Sequence, residues 1–146
     1  MMASAPDLVR FGGAMIENRI VTQAGFDKMT TPVLLASGEA AGEQGYQVGF
    51  GWRIANDLDG HPMAFHNGAA IGARPSLVLW RDEGTAVALL SNALWTSSID
   101  LTAQMLAAPF RGKPIGLMPS ACPAPQCGSR GPCQTRRCQA SPGLRL

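Results

Sequence analysis

An α+β fold is predicted: an antiparallel sheet of about four strands packed with helices. Three observations predict it. Apolar residues recur at helical spacing over residues 4–29 and again after residue 97. Between those segments, from Tyr46 to Ala93, the apolar period shortens to two, or the chain turns apolar on both faces. The connections between the strand segments are too short for parallel crossovers, so the strands must run antiparallel. Helices, then a sheet, then a helix is an α+β order.

The first helix begins at Ser4-Ala5-Pro6-Asp7. Ser4 can cap it, and the Asp7 carboxylate suits the positive end of the helix dipole. Leu8, Phe11, Met15 and Ile16 then fall on one face, and Asn18 stops the helix. A second short helix follows Thr22, turns Phe26 and Met29 inward, and ends before Thr31-Pro32. Residues 34–45 are rich in Gly, Ala and Glu and are expected to form a loop.

The sheet starts at Tyr46, where Phe50, Trp52 and Ile54 alternate with Gly51, Arg53 and Ala55. Residues 56–60, Asn-Asp-Leu-Asp-Gly, form a turn, and Met63 and Phe65 return on a second strand. Residues 75–80 make a third strand and residues 85–93 a fourth, joined by a turn over 81–84. Both are apolar on two faces, so both sides of the sheet must be covered. A last helix begins near Ser97-Ser98, carries Asp100 in its first turn, and ends at Pro109. Ile99, Ala103 and Leu106, with Leu101 and Met105, are expected to face the sheet.

Composition splits the chain in two. Residues 1–110 carry six basic and ten acidic residues, net −4; residues 111–146 carry six basic and no acidic ones, net +6. The second part holds all four cysteines and six of the eleven prolines, without apolar period. It is expected to be a disordered tail following a domain over 1–110. Cys122, Cys127, Cys133 and Cys138 are spaced x4, x5 and x4, which fits structural zinc sites poorly. Neither metal nor cofactor is expected. Three tail arginines, Arg130, Arg136 and Arg137, are a weak signal for nucleic acid, and none is expected as a partner. The start lacks the basic and apolar runs of a signal peptide, and no stretch approaches the ~20 apolar residues of a membrane span. Localisation stays open.

The order and wording of the segments resemble the C-terminal half of the serine β-lactamase-like hydrolases. That family includes class C β-lactamases, penicillin-binding D-Ala carboxypeptidases and related esterases. The likeness covers residues 4–110. SAPDLVRFGGAMI resembles the helix after the family's second motif region, and MTTP the segment beyond it. GYQVGFGWRI resembles its Gly-x-Gly-Trp strand, and GTAVALLSNA its final strand. FHNGAAIGARPSLVLW resembles the third motif, written Lys-Thr-Gly or His-x-Gly, on the strand that lines the substrate.

The resemblance implies roles for four residues. His66 replaces the lysine of many members, as a catalytic group able to serve a proton relay or a substrate carboxylate near neutrality. Gly68 leaves room for a substrate lying along the strand. The Ala69 backbone N–H matches the strand's oxyanion donor. Asn67 joins Gly68 as a substrate-binding residue, where many members carry threonine. Other candidates have plainer readings: His61 in an exposed turn, Asp57 and Asp59 as turn formers, Arg74 at the surface or near a substrate carboxylate, Ser91-Asn92 at a strand end, and Trp52, Trp80 and Trp95 in packing.

The rest of the family's machinery is not in these 146 residues. The two lysines, Lys28 and Lys113, have no serine three residues before them, so Ser-x-x-Lys is absent. Tyr46 is the only tyrosine and is followed two residues on by Val48, so Tyr-x-Asn is absent too. The expectation is a fragment of an acyl-transferring serine hydrolase that is inactive alone. It would leave an open strand edge and an uncovered apolar face, suited to a missing N-terminal half or to self-association. The alternative is a non-enzymatic pseudo-hydrolase that binds a small molecule, a peptide or a partner along the third-motif strand.

Overall fold

The structure, a computed structural model, describes residues 3–43, 45–93, 96 and 98–113. The chain divides into two contact units, Met1–Ile115 and Gly116–Leu146, and the described residues belong to the first. The four cysteines, Trp95 and the tail beyond Lys113 lie outside the described residues.

Two helices come first, α1 (Ala5–Ile16) and α2 (Gln23–Met29). Ser4 and Asp7 form a capping box at the start of α1: the Ser4 N–H donates to Asp7 Oδ2 at 3.1 Å, and the Asp7 N–H donates to Ser4 Oγ at 3.4 Å. Asn18, at φ +58°, turns the chain after its last residues. Thr22 caps α2 by accepting the Gly25 N–H at 3.1 Å.

Six strands follow: β1 (Gly42–Glu43), β2 (Tyr46–Val48), β3 (Arg53–Asn56), β4 (Pro62–Asn67), β5 (Arg74–Trp80) and β6 (Thr85–Ser91). They form one antiparallel meander in chain order. Helix α3 (Ile99–Ala107) and a 3₁₀ turn over Ala108–Arg111 close the described chain. The α+β class is therefore as expected, but the sheet has six strands and not four. The expected loop contains β1 and a bridge between Leu34 and Ala40. The expected first strand breaks into β2 and β3, because residues 49–52 form a turn. Gly49 passes so near α2 that a Cβ there would lie 2.2 Å from the Met29 carbonyl oxygen. Phe50, expected inside, points out of that turn and is exposed. Strands of two or three residues are too short to show a period.

The sheet carries an apolar cluster on each face. On one side Met15 and Phe26 from the helices pack with Trp52, Ala64, Leu77 and Leu79. On the other, Ala103 and Ala107 of α3 pack with Met63, Phe65, Val78 and Trp80. Residues of β5 alternate between the two, so every side chain from Ser76 to Trp80 is buried. Helix α1 reaches the sheet through Gly12, where a Cβ would sit 2.7 Å from Leu79 Cδ2 and 3.0 Å from Ala86 Cβ. Phe11 and Leu106, expected to face the core, flank the buried stripes and stay exposed.

One end of the sheet is closed by charge. The β3–β4 turn is organised by Asp57, whose Oδ1 accepts the N–H groups of Asp59 at 3.0 Å and His61 at 2.8 Å. Asp57 Oδ2 accepts from Trp80 Nε1 at 3.0 Å and from Arg111 Nη2 at 2.7 Å. The Arg111 guanidinium stacks 3.8 Å over the Trp80 ring and also binds Glu83 through Nε and Nη2. Lys113 Nζ lies 3.4 Å from Glu83 and 3.5 Å from Asp57. Arg111 and Lys113, placed with the tail by composition, thus pack on the domain. Burial pushes the Asp57 carboxyl up, but hydrogen bonds from Arg111, His61 and Asp59 outweigh it and hold the pKa at about 2. The Arg111 hydrogen bond brings Glu83 down to about 2 as well.

Two outcomes are expected. Gly12→Val should overpack the α1 contact and cost about 1–3 kcal/mol, measured as a lower denaturation midpoint. Arg111→Ala should strand the buried Asp57 carboxylate and cost about 3–5 kcal/mol. Both carboxyls titrate below their free values of 3.8 and 4.5, so their contribution is complete above pH 4.5 and is lost as pH falls towards 2. The acid limb of a stability–pH curve should flatten in Arg111→Ala.

Candidate functional site

The third-motif segment begins at the end of β4 far from the charged turn. His66, Asn67, Gly68 and Ala69 follow one another there, and alternation sends the first two side chains to opposite faces. His66 lies opposite Leu77 of β5, on the α1–α2 face, and is exposed. Asn67 lies opposite Ser76, on the α3 face, and is half-buried. The structure therefore keeps His66, Gly68 and Ala69 in one accessible stretch and turns the Asn67 side chain away from His66.

The backbone of this stretch is paired on one side only. Gly68 donates its N–H to the Pro75 carbonyl at 3.1 Å, and Ala70 and Ala73 exchange hydrogen bonds of 3.0 Å each way. Successive backbone groups alternate in direction, so those of Asn67 and Ala69 point towards the β3 side. On that side the pairing of β3 with β4 ends at Arg53 opposite Phe65. The chain ahead of β3 bends away at Gly51, whose φ is +79°. Among the described residues no backbone carbonyl accepts the Ala69 N–H. The result is a short free strand edge carrying an aimed N–H donor.

Gly68 has no packing reason to be glycine. Its φ is not in the left-handed region, and an added Cβ would meet only Pro75 Cγ at 3.5 Å and Cδ at 3.9 Å, ordinary contact distances. Gly12, Gly42 and Gly49, by contrast, face atoms nearer than 3.0 Å. A Cβ at Gly68 would fit, in ordinary contact with Pro75.

Four residues around the motif carry interactions that the sequence did not announce. Arg53 Nη1 donates to Asn67 Oδ1, and Asn67 Nδ2 donates to Asp100 Oδ2. Ser76 Oγ donates to Asp100 Oδ1 at 2.6 Å. Asp100 suggested only a helix first turn, and Arg53 only the polar side of a strand. No local signal links residues 24 and 33 positions apart.

The remaining candidates take up other positions. His61 is half-exposed, with Nδ1 3.4 Å from Glu83 Oε1. Asp57 and Asp59 organise the turn and face Arg111 and Lys113. Arg74 is half-buried at the start of β5, opposite Ser91. Ser91 Oγ accepts the Ala93 N–H at 3.1 Å and closes the end of β6. No group of three or more metal-ligating side chains gathers among the described residues. No helix among them is long and apolar enough to cross a membrane. A cavity of about 390 Å³, lined by Phe26, Asp27, Met63, Ala64 and Arg81 among others, opens at the opposite end of β4. Gly68 lies five residues beyond Met63, about 17 Å along an extended chain, so the cavity is not part of this stretch.

Comparison with known proteins places this geometry. A comparison with curated proteins returns no significant match. Among solved structures, the chain is similar to a D-stereospecific amidohydrolase from Streptomyces sp., with 22% identity and a TM-score of 0.58 over 77% of this chain and 31% of that one. It is also similar to the octameric penicillin-binding protein homologue from Pyrococcus abyssi, with 24% identity and a TM-score of 0.62 over 76% of this chain and 25% of that one. The chain thus spans less than a third of either structure, and at these identities the likeness establishes the fold. The family model for β-lactamase matches residues 1–108. A match over that much of the chain shows the family: the chain belongs to the β-lactamase family.

Proposed function

We propose that residues 1–108 form the substrate-lining part of a serine β-lactamase-like hydrolase, and that the chain is a fragment of that enzyme. The observation that carries this reading is the free β4 edge at Asn67–Ala69. An extended acyl substrate can lie along it, above a glycine that the fold does not require. The Ala69 N–H then meets the carbonyl oxygen of the substrate. As negative charge develops there during acyl transfer, one such donor contributes about 2.7–4 kcal/mol of transition-state stabilisation. His66 lies on the exposed face beside this edge, where an imidazole can hold or pass a proton.

Acyl transfer also needs a nucleophilic serine, and neither Ser-x-x-Lys nor Tyr-x-Asn occurs in these 146 residues. The serine and its base would come from sequence supplied by the rest of the enzyme. Strand β6 supports this arrangement: it is the last strand of the sheet and pairs only with β5 among the described residues. Its sequence, TAVALLS, carries no charge and no proline to discourage another strand. Val33, Leu34 and Leu35 ahead of β1 and Phe50 after β2 are further exposed apolar side chains. The substrate class is a β-lactam, a D-amino-acid peptide or a small ester.

The test is to titrate the chain with benzylpenicillin and with a D-Ala-D-Ala peptide while following amide NMR shifts and intact mass. Shifts concentrated at residues 66–70, without a covalent mass increase and without turnover, are expected. Shifts elsewhere, or none at millimolar ligand, would remove the reading. Gly68→Val should abolish these shifts while changing stability by less than about 1 kcal/mol, because the fold leaves room for the side chain.

A further inference from the structure

We infer that Asp100 is a positioning residue for the substrate-lining strand and acts through Asn67, whose side chain serves the fold and not the ligand. The inference rests on the reading of β4 as that strand.

Donor and acceptor types determine how the Asn67 carboxamide is turned. Arg53 can only donate, so it must meet Oδ1. The Asp100 carboxylate can only accept, so it must meet Nδ2. A flipped amide would face a donor with a donor and an acceptor with an acceptor. Ser76, fully buried on β5, donates to the other Asp100 oxygen at 2.6 Å. The directed chain Arg53 → Asn67 → Asp100 ← Ser76 thus ties β3, β4, β5 and the first turn of α3 at one point. Each of its hydrogen bonds involves either the Arg53 cation or the Asp100 carboxylate, so each is charge-assisted.

The position of this tie gives it a purpose. Beyond Phe65, β4 has no strand neighbour on the β3 side among the described residues. From there to Ala70, the backbone bonds among the described residues run to β5 and to Ala73. The Asn67 side chain, reaching back to Arg53 and across to Asp100, replaces the absent neighbour. It sits one residue before Gly68 and two before Ala69. Holding Asn67 therefore holds the direction of the Ala69 N–H. The bonds to Arg53 and Asp100 fix the carboxamide on the α3 face, half-buried and away from His66, so the substrate contact expected from Asn67 passes to the strand backbone.

The proposal is tested by reversing the polarity of the tie. Asp100→Asn leaves the Asn67 Nδ2 facing an amide, and Asn67→Asp puts two carboxylates together. The double variant carrying both changes restores every bond. The carboxylate introduced at position 67 would accept from Arg53 and from the amide introduced at position 100, whose carbonyl oxygen would accept from Ser76. The readouts are hydrogen exchange at the Gly68 amide, which Pro75 protects, compared with Val78 in the core, and the benzylpenicillin-induced shift at Ala69. Each single change should lower Gly68 protection by roughly tenfold or more relative to Val78, and the double variant should regain most of it. A double variant no better than the worse single overturns the proposal. If a single variant does not fold, Arg53→Met strips the outer end of the same chain and should lower Gly68 protection in the same way; unchanged protection would be equally fatal. The exchange cycle is read with or without ligand. If the native chain ignores penicillin, the substrate-strand reading fails on its own. If native and single variants bind penicillin alike, that reading stands and the positioning role falls.

Discussion

The fold depends on one strand being buried on both faces. Ser76 to Trp80 of β5 have almost no contact with solvent, and their side chains alternate between two apolar clusters. A strand of that kind cannot lie at the surface of a one-sided sheet, so helices must cover both sides. Helix α1 approaches closely because Gly12 lets Leu79 and Ala86 come within contact, and α3 covers the other face with the small residues Ala103 and Ala107. Strands β4 and β6 then take their places as the two neighbours of β5.

The two ends of this sheet are finished in opposite ways. At the turn end, Asp57, Glu83 and Arg111 form a closed charged cluster around the Trp80 indole. Each buried polar group there has partners, which is the condition for burying charge at all. At the motif end, the polar chain from Arg53 to Ser76 is closed as well, but the backbone beside it is left open. The closed end secures the sheet; the open end leaves the Ala69 N–H without a backbone acceptor among the described residues. Rigid support next to an unpaired edge is what a binding strand needs, since a donor aims well only when its neighbours cannot move.

This arrangement separates two parts of hydrolase chemistry that are usually considered together. A strand that lines a substrate needs only backbone geometry and lateral support, which is the part the proposal assigns to the described chain. A nucleophile needs an activating base at hydrogen-bond distance. On the proposed reading the first part is built independently of the second: Gly68 carries no side chain, Ala69 would contribute only its amide, and the Asn67 side chain is bonded to Arg53 and Asp100.

Much of the architecture was legible in the sequence because it has a period. The Ser4–Asp7 start of α1, the Thr22 cap of α2, the two-faced apolar runs of β5 and β6 and the turn at residues 56–60 all follow from local rules. The order of motifs pointed to the family, and the absence of Ser-x-x-Lys is a matter of counting. Strands β1 and β2 were not legible, since two or three residues show no alternation and their pairing is set by the backbone around Gly49 and Gly51. Nor were the roles of Asn67, Asp100, Arg53 and Arg111. Their hydrogen bonds join residues between 14 and 54 positions apart, and a bond of that reach leaves no periodic mark on either partner. Residue order alone was enough to place the helices and the longer strands and to say which of their faces are apolar. Which polar side chains meet was settled only in three dimensions, because it depends on the register of the sheet and the placement of α3.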